Sequence, residues 1–208
     1  MGCKVEGVEC NIFFNLDLSV ETASDILNKL LKIVRDNQIH VIHAEALYCA
    51  RIAFLLKELK PSLRLIFDNH GVSPEEEAMS GASDARIKTS ESWEKIILQK
   101  ADMNIFVSKA MQSHYLKKYN MMDISGMIVP CCIHDNQVEN NPVENEFYLP
   151  HDRLIIGYVG TLAPWQCPDE MFYFFSRLLQ KNSDLFFCVI APKGDHNLAH
   201  NLFNKYNI

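Results

Sequence analysis

The feature that most constrains the fold of this chain is a regular alternation of short apolar strands with amphipathic helices. Strands are predicted over residues 8–14, 39–43, 63–67, 103–107 and 127–129. Helices are predicted over residues 21–35, 47–59, 93–101 and 109–119, with Ser108 as the N-cap of the last one. Such alternation is typical of a parallel sheet that carries helices on both faces. We therefore predict an α/β fold.

The second part of the chain begins after a break rich in polar and turn-forming residues. Residues 136–152 hold few apolar side chains and form the best linker candidate. Two further strands, 154–159 and 185–190, then flank a helix over 168–181. We therefore expect a first domain over 1–135 and the beginning of a second over 153–208. Because two parallel strands bury their faces poorly, the second part is expected either to dock onto the first domain or to fray.

Composition excludes several classes of protein. The chain of 208 residues has a formal net charge of −6, without the excess of Lys and Arg that a nucleic-acid partner requires. No apolar run approaches the ~18 residues that span a membrane, and no apolar signal region is found at the N-terminus. Seven cysteines without a C-x-x-C motif favour a reducing compartment. We expect a cytoplasmic protein, with peripheral association at the inner face of the membrane as an option.

A small-residue turn follows the strand over 154–159 and is a candidate phosphate site. Gly160 has no Cβ, so a diphosphate could approach its backbone, and Thr161 could donate its hydroxyl. Lys193 follows the strand over 185–190, where its cation could pair with a phosphate group. The alternatives are a plain strand-to-helix turn and an exposed loop lysine.

Polar residues at the end of the strand over 63–67 are candidates for catalysis. His70 closes this strand and is expected at the carboxyl edge of the sheet, where ligands of such folds bind. Asp68 lies two residues earlier and faces the same side by strand alternation. Together they could orient a hydroxyl nucleophile. The alternatives are that His70 is a structural group and that Asp68 caps the following turn.

Two other acidic features lie outside this strand end. Glu45 begins a predicted helix, where the dipole stabilises a carboxylate, and the alternative is that it acts as a base or binds a ligand. The neighbouring His43 is expected to be a buried strand residue. Residues 74–85, which include three consecutive glutamates at 75–77, are predicted to form a loop with a helical turn. Their simplest role is a solvated acidic face.

Five segments resemble, in the same order, motifs of the family-4 (group 1) glycosyltransferases. Residues 39–45 resemble the strand end "D-V-I-H-x-H", and residues 67–71 resemble "D-x-H-G". Residues 94–108 resemble the helix–strand pair "E…A-D-x-v-i-a-V-S". Residues 127–134 resemble "v-i-P-n-G-v-D", and residues 156–162 resemble "i-g-y-v-G-r-l", the opening of the sugar-nucleotide domain. The resemblance covers most of the chain, from about residue 39 to 192.

This resemblance implies a GT-B-like fold, with a Rossmann-type parallel-sheet domain followed by a partial second Rossmann-type domain. Enzymes of the family move a sugar from a nucleotide-sugar donor to an acceptor, usually without a bound metal. We therefore expect no cofactor and no metal, a carbohydrate or lipid-linked acceptor, and a setting in surface-polysaccharide biosynthesis. The diphosphate-binding residues implied are Gly160, Thr161 and Lys193. The acceptor-side residues implied are His70, Asp68 and Glu45, with His70 facing Thr161 across the cleft.

The chain also departs from the family pattern. Glu45 stands where relatives have the second histidine of "H-x-H", and Gln166-Cys167 replaces a Lys-Gly pair. The opening strand and glycine loop are not recognisable, and the donor-gripping "E-x7-E" segment would lie beyond Ile208. A second interpretation is therefore a non-catalytic remnant or half of a split enzyme that needs a complementing chain. A nucleotide-sugar epimerase or dehydrogenase ranks last, because its glycine-rich first turn is missing.

Overall fold

The computed structural model describes residues 23–132 and 149–208. The strand predicted over 8–14 and most of the linker predicted over 136–152 lie outside these residues. The helices are α1 (Ala23–Asp36), α2 (Ala46–Leu59), α3 (Ser73–Met79), α4 (Asp84–Lys100), α5 (Lys109–Tyr119), α6 (Pro168–Lys181) and α7 (His196–Tyr206). The strands are β1 (Val41–Glu45), β2 (Arg64–Asn69), β3 (Met103–Phe106), β4 (Gly126–Ile128), β5 (Leu154–Val159) and β6 (Leu185–Ile190).

The strands form two separate parallel sheets. The first has the order β1-β2-β3-β4 and the second the order β5-β6, and every pairing is parallel. Helices connect the strands that pair with each other, as parallel pairing requires. The α/β fold with a parallel sheet, predicted from the alternation of strands and helices, is confirmed, as are the Rossmann-type parallel sheets that the resemblance implies.

The prediction of a loop with a helical turn over residues 74–85 is wrong in extent, because most of the segment is helical. This segment forms α3 and the first two residues of α4, and α4 extends nine residues further toward the N-terminus than the helix predicted from Trp93. Pro74 stands in the first turn of α3, where its missing N–H costs nothing. Glu76 accepts a hydrogen bond from the Val72 backbone N–H at 3.2 Å. Carboxylates in a first helical turn stabilise the helix through its dipole, so the acidic run favours α3.

The chain divides into two compact units. The first contains residues 1–71 and 90–130, and the second contains residues 72–89 and 131–208. The first sheet belongs to the first unit. Its core is formed by side chains of which at most 1% is exposed, among them Leu65, Phe67, Ile97, Phe106 and Tyr115.

In the second unit, helices α6 and α7 cover one face of the β5-β6 sheet. Phe172 is fully buried there, with its ring centroid 5.4 Å from that of Phe187 and 5.0 Å from that of Phe203. On the opposite face, Val159 is 75% exposed and Ile190 is 48% exposed. The described residues therefore leave apolar side chains of this sheet open to solvent.

Asp102 joins three elements of the first unit. Its carboxylate accepts hydrogen bonds from the Lys57 ammonium of α2, from the Arg64 guanidinium at 2.6 Å and from the Leu65 backbone N–H at 2.8 Å. Burial alone would raise the pKa of this carboxyl group. The hydrogen bonds from Lys57, Leu65 and Arg64 outweigh burial and hold the pKa of Asp102 well below its usual value.

We expect Asp102→Asn to lower the free energy of unfolding by about 2 kcal/mol at pH 7, because ionised hydrogen bonds are lost. A depressed folded-state pKa stabilises the fold above the unfolded pKa of about 4, and this stabilisation is lost as the pH falls toward the folded value. The difference in the free energy of unfolding between variant and wild type should therefore become smaller as the pH is lowered from 5 to 3. Urea unfolding at both pH values measures this difference. The matched control is Asp36→Asn, which breaks an exposed pair with Lys32; an equal effect there would contradict the prediction.

Candidate functional site

The first group of candidate residues lies where β1 and β2 end. Parallel strands present their carboxyl ends at the same edge of a sheet, and Glu45 pairs in register with Asp68. Side chains alternate along a strand, so His43 and Glu45 share a face, and this register places Asp68 on the same face. The sequence therefore brings three titratable side chains to one corner of the first unit.

Asp68 lies between two histidines. Its Oδ2 is 2.8 Å from His43 Nε2, and its Oδ1 is 3.1 Å from His70 Nε2. The Asp68 side chain is 13% exposed, whereas the His43 and His70 side chains are 56% and 44% exposed. His70 approaches off the hydrogen-bonding direction, so Oδ1 is a buried acceptor without a hydrogen bond among the described residues. A buried carboxylate oxygen without a donor is unusual and points to a functional role.

The structure thus places Asp68 beside His70, and Glu45 lies next to them in register. The prediction that His43 is buried is wrong. Its neighbour in the strand, Ala44, is the buried one. The signal that could have found His43 is strand alternation, since His43 and the polar Glu45 are two residues apart.

Glu45 does not cap the following helix with its side chain. It occupies the N-cap position of α2 with extended backbone angles, and its carboxylate makes no capping hydrogen bond. The helix dipole still stabilises its negative charge. The exposed carboxylate of Glu45 therefore remains available to a ligand at this corner.

Buried side chains hold the end of β2 in place. Tyr115 of α5 is fully buried and donates its hydroxyl to the Gly71 carbonyl at 3.0 Å. The same hydroxyl lies 3.4 Å from Asn69 Oδ1, and Asn69 is 2% exposed. These contacts flank His70 in the chain, so they fix the backbone that carries Asp68 and His70.

The second group of candidates lies at the carboxyl edge of β5 and β6. The Gly160 N–H donates to the Ile190 carbonyl at 3.0 Å, which continues the pairing of the two strands. The Leu162 N–H donates to Asp195 Oδ2 at 2.9 Å. Asp195 belongs to a 3-10 turn over Lys193–Asp195, so the loops that carry Thr161 and Lys193 are tied together. Sequence reasoning missed Asp195, although an acidic residue just after a strand is a recognisable signal.

The same hydrogen bonds limit how a phosphate can be held. The N–H groups of Gly160 and Leu162 already have partners. A Cβ at Gly160 would lie 2.9 Å from the Tyr158 hydroxyl, which donates to the Thr161 carbonyl at 2.6 Å. Packing against Tyr158 is therefore one reason for the glycine. The exposed side chains of Thr161 and Lys193 are available to an anion at this edge.

Helix α6 does not begin directly after this turn. A 3-10 turn over Pro164–Gln166 intervenes, and Cys167 follows it in the left-handed conformation with a φ of 49°. The first turn of α6 also carries Asp169 and Glu170, whose charges already complement the helix dipole. The N-terminus of α6 is accordingly a poor place for a phosphate.

The described residues include no group of three or more His, Cys, Asp or Glu side chains placed to hold a metal ion. None of their helices is both long enough and apolar enough to cross a membrane. The expectation of a metal-free reaction stays a prediction.

The chain resembles known proteins in sequence and in fold. The family profile Glycosyltransferase Family 4 matches residues 12–137, more than half of the chain. Sucrose-phosphate synthase from Thermosynechococcus elongatus has a similar structure, with a TM-score of 0.67 and 14% identity over 94% of this chain and 49% of that one. The S. aureus MnaA–UDP co-structure has a TM-score of 0.51 and 13% identity over 90% of this chain and 51% of that one. No curated protein sequence matches the chain.

The chain therefore spans about half the length of the solved structures that it resembles. At these levels of identity, the likeness shows the fold alone. The sequence profile covers the first group of candidate residues and stops before the second.

Proposed function

The chain belongs to Glycosyltransferase Family 4, and from this premise we propose that it transfers a sugar from a nucleotide-sugar donor to a carbohydrate or lipid-linked acceptor. Surface-polysaccharide biosynthesis at the cytoplasmic side of the membrane is the setting that we propose by analogy with the family. The observation that carries the proposal is the largely buried Asp68 carboxylate, which faces the exposed imidazoles of His43 and His70.

This arrangement suits the activation of an acceptor hydroxyl. An attacking hydroxyl must lose its proton as the bond to the anomeric carbon forms, and an imidazole oriented by a carboxylate can accept it. The hydrogen bond between His43 Nε2 and Asp68 Oδ2 favours the His43 tautomer with the proton on Nε2, so that Nδ1 of His43 can act as the base. His70 Nε2 lies 3.1 Å from Asp68 Oδ1 without a hydrogen bond, and His70 is the second candidate base. Glu45 could accept a hydrogen bond from a second acceptor hydroxyl.

The donor would be held at the other edge, in the second unit. The departing nucleoside diphosphate develops negative charge, which the Lys193 ammonium and the Thr161 hydroxyl can stabilise without a metal. The co-structure of MnaA, a protein of similar fold, contains UDP. This supports a nucleotide as the donor leaving group here.

The direct test is a transfer assay. The chain is incubated with radiolabelled UDP-, GDP- and ADP-sugars and with simple glycoside or lipid-phosphate acceptors. We expect release of the nucleoside diphosphate that depends on the acceptor. The proposal is wrong if calorimetry detects no binding of UDP, GDP or ADP and no acceptor yields product.

We expect Lys193→Ala to weaken nucleoside diphosphate binding about 10-fold, because one charge-assisted contact is lost. Isothermal titration calorimetry with the matching diphosphate measures this change. The control is Lys181→Ala, an exposed lysine of the same unit at the end of α6. An equal loss of nucleoside diphosphate affinity in the two variants would show that Lys193 acts only through the overall charge and would contradict the prediction.

The uncovered face of the β5-β6 sheet favours a second candidate function. Val159 and Ile190 are exposed on this face, as expected for a unit in which a complementing chain covers the face of the sheet. In that case the chain by itself would transfer no sugar, and activity would appear only on addition of the partner. Val159→Lys would then abolish association but leave the helical circular dichroism unchanged.

A further inference from the structure

A cavity of about 440 Å³ lies in the second unit, where α3 and the start of α4 approach the 3-10 turn after β5. Its polar and aromatic lining consists of Ser73, Glu76, Glu77, Ser80, Arg86 and Trp165. None of these side chains belongs to the Asp68 corner or to the edge that carries Thr161 and Lys193. The volume is within the range of about 300 to 1,000 Å³ that is typical of small-molecule sites.

Trp165 gives this cavity an aromatic wall. The residue is 43% exposed, so more than half of it is already covered. Its turn is tied by hydrogen bonds from the Gln166 N–H to the Ala163 carbonyl at 2.9 Å and from the Cys167 N–H to the Pro164 carbonyl at 3.0 Å. These bonds fix the backbone that carries the indole, and the indole offers a flat apolar surface to a ligand.

The acidic side chains of the cavity are held in fixed orientations. Glu77 Oε1 accepts from Arg86 Nε at 3.2 Å and from Arg86 Nη2 at 3.1 Å. Glu76 Oε1 accepts from the Val72 N–H at 3.2 Å. Both glutamates are half-buried. Polar groups that are ordered before a ligand arrives lose little entropy when they bind it.

The charge of the cavity selects against anions. Two carboxylates face one guanidinium, so a phosphate or a carboxylate ligand would be repelled. Carboxylates instead accept strong hydrogen bonds from hydroxyl groups. An apolar wall with fixed hydroxyl acceptors around it matches a ring that has one C–H face and several hydroxyls.

We propose that this cavity is a binding subsite for a neutral hexopyranose. The C–H face of the ring packs against Trp165, and its hydroxyls bind Glu76, Glu77 and Arg86. Within the proposed function, on which this assignment rests, the ring is the acceptor sugar. The acceptor therefore ends in a sugar and not in a bare lipid phosphate.

Tryptophan fluorescence can test this assignment, because the chain contains only two tryptophans. Trp93 belongs to the first unit, with its ring centroid 6.1 Å from that of Phe54. In the Trp93→Phe variant, Trp165 is the remaining indole. Titration with the methyl pyranosides of glucose, galactose, mannose and N-acetylglucosamine should give a saturable emission change for at least one of them, at millimolar concentration. Sorbitol, a linear polyol, should give none.

The matched variants separate a specific site from a general solvent effect. Trp165→Phe should show no saturable change, and Glu77→Gln in the Trp93→Phe background should weaken binding at least about 5-fold. Glu170→Gln, which alters an exposed glutamate of α6, should leave binding unchanged. Saturation-transfer NMR on wild type and on Trp165→Ala repeats the comparison without the Trp93 substitution. Absence of saturable binding by both methods, or equal binding by the Trp165 variants, overturns the proposal.

Failure of this subsite and failure of the proposed function have different signatures. If the pyranosides bind through Trp165 but no nucleoside diphosphate binds and no sugar is transferred, the sugar subsite is supported and the proposed function is wrong. If acceptor-dependent transfer is unchanged in Trp165→Ala, the proposed function is supported and the assignment of the sugar subsite is wrong.

Discussion

Replacing Asp68 by asparagine is expected to lower kcat for sugar transfer by about 100- to 1,000-fold, with a change in the KM for the donor of less than about 3-fold. General acid–base catalysis contributes about 10² to 10⁴ in rate, and it depends on a correctly oriented and charged partner for the base. An amide in place of the carboxylate keeps the shape of Asp68 but removes the charge that faces His43 and His70. Steady-state kinetics with saturating acceptor measures the loss of kcat. The sample is the chain alone or, if it needs one, the chain with its complementing partner.

Single and double variants identify the base. If one histidine accepts the proton, its alanine variant should lose about as much activity as Asp68→Asn, and combining the two should add little, because residues that act as a unit are not additive. Asp123→Asn, at an exposed position of the same unit, is the control for charge. If Asp68→Asn has the kcat of the wild type and an unchanged circular dichroism spectrum, Asp68 takes no part in catalysis.

The second large effect is expected at Glu94, where alanine should lower the free energy of unfolding by about 3 to 5 kcal/mol. Glu94 is 1% exposed, and its Oε2 lies 3.0 Å from Lys118 Nζ and 2.5 Å from the Tyr119 hydroxyl. The Lys118 side chain is itself only 13% exposed. Removal of the carboxylate leaves a largely buried ammonium without its main counter-charge, which is far more costly than losing a surface pair. Urea unfolding at pH 7 measures the change.

Two controls separate the charge from the packing of Glu94. The double variant Glu94→Met/Lys118→Met removes both charges and should recover most of the lost stability, since buried ion pairs are often replaceable by apolar residues. Glu91→Ala removes a more exposed carboxylate 3.9 Å from Lys118 and should cost less than about 1 kcal/mol. A small effect of Glu94→Ala would mean that water solvates Lys118 in the variant.

Local patterns predicted most of the secondary structure. Strand β5 and helix α6 have the predicted bounds, and Ser108 accepts from the Met111 N–H at 3.1 Å as the expected N-cap of α5. Periodicity and capping depend on residues within one turn of each other, which a sequence displays directly. The error over residues 74–85 has the same origin. Gly81 and several serines indicated a loop, but they mark only the short break between α3 and α4.

The candidate site was only partly predictable. Asp68 and His70 could be paired from their spacing, because strand alternation is local. Strand alternation could place His43 on the same face as Glu45, but it could not predict the contact with Asp68, which joins residues of two different strands. The same holds for the bond between Asp195 and the Leu162 N–H, which links the loops after β5 and β6.

The sequence by itself determined the α/β class, the order of the strands and helices along the chain and the membership of Glycosyltransferase Family 4. These properties follow from short-range periodicity and from residues in a fixed order. Only the tertiary structure decided that Asp68 lies between two histidines, that Glu94 is buried with Lys118, and that Trp165 lines a cavity with Arg86. Each of these depends on packing between segments that are distant in the chain, where the free energy of burial and pairing selects contacts that local patterns do not encode.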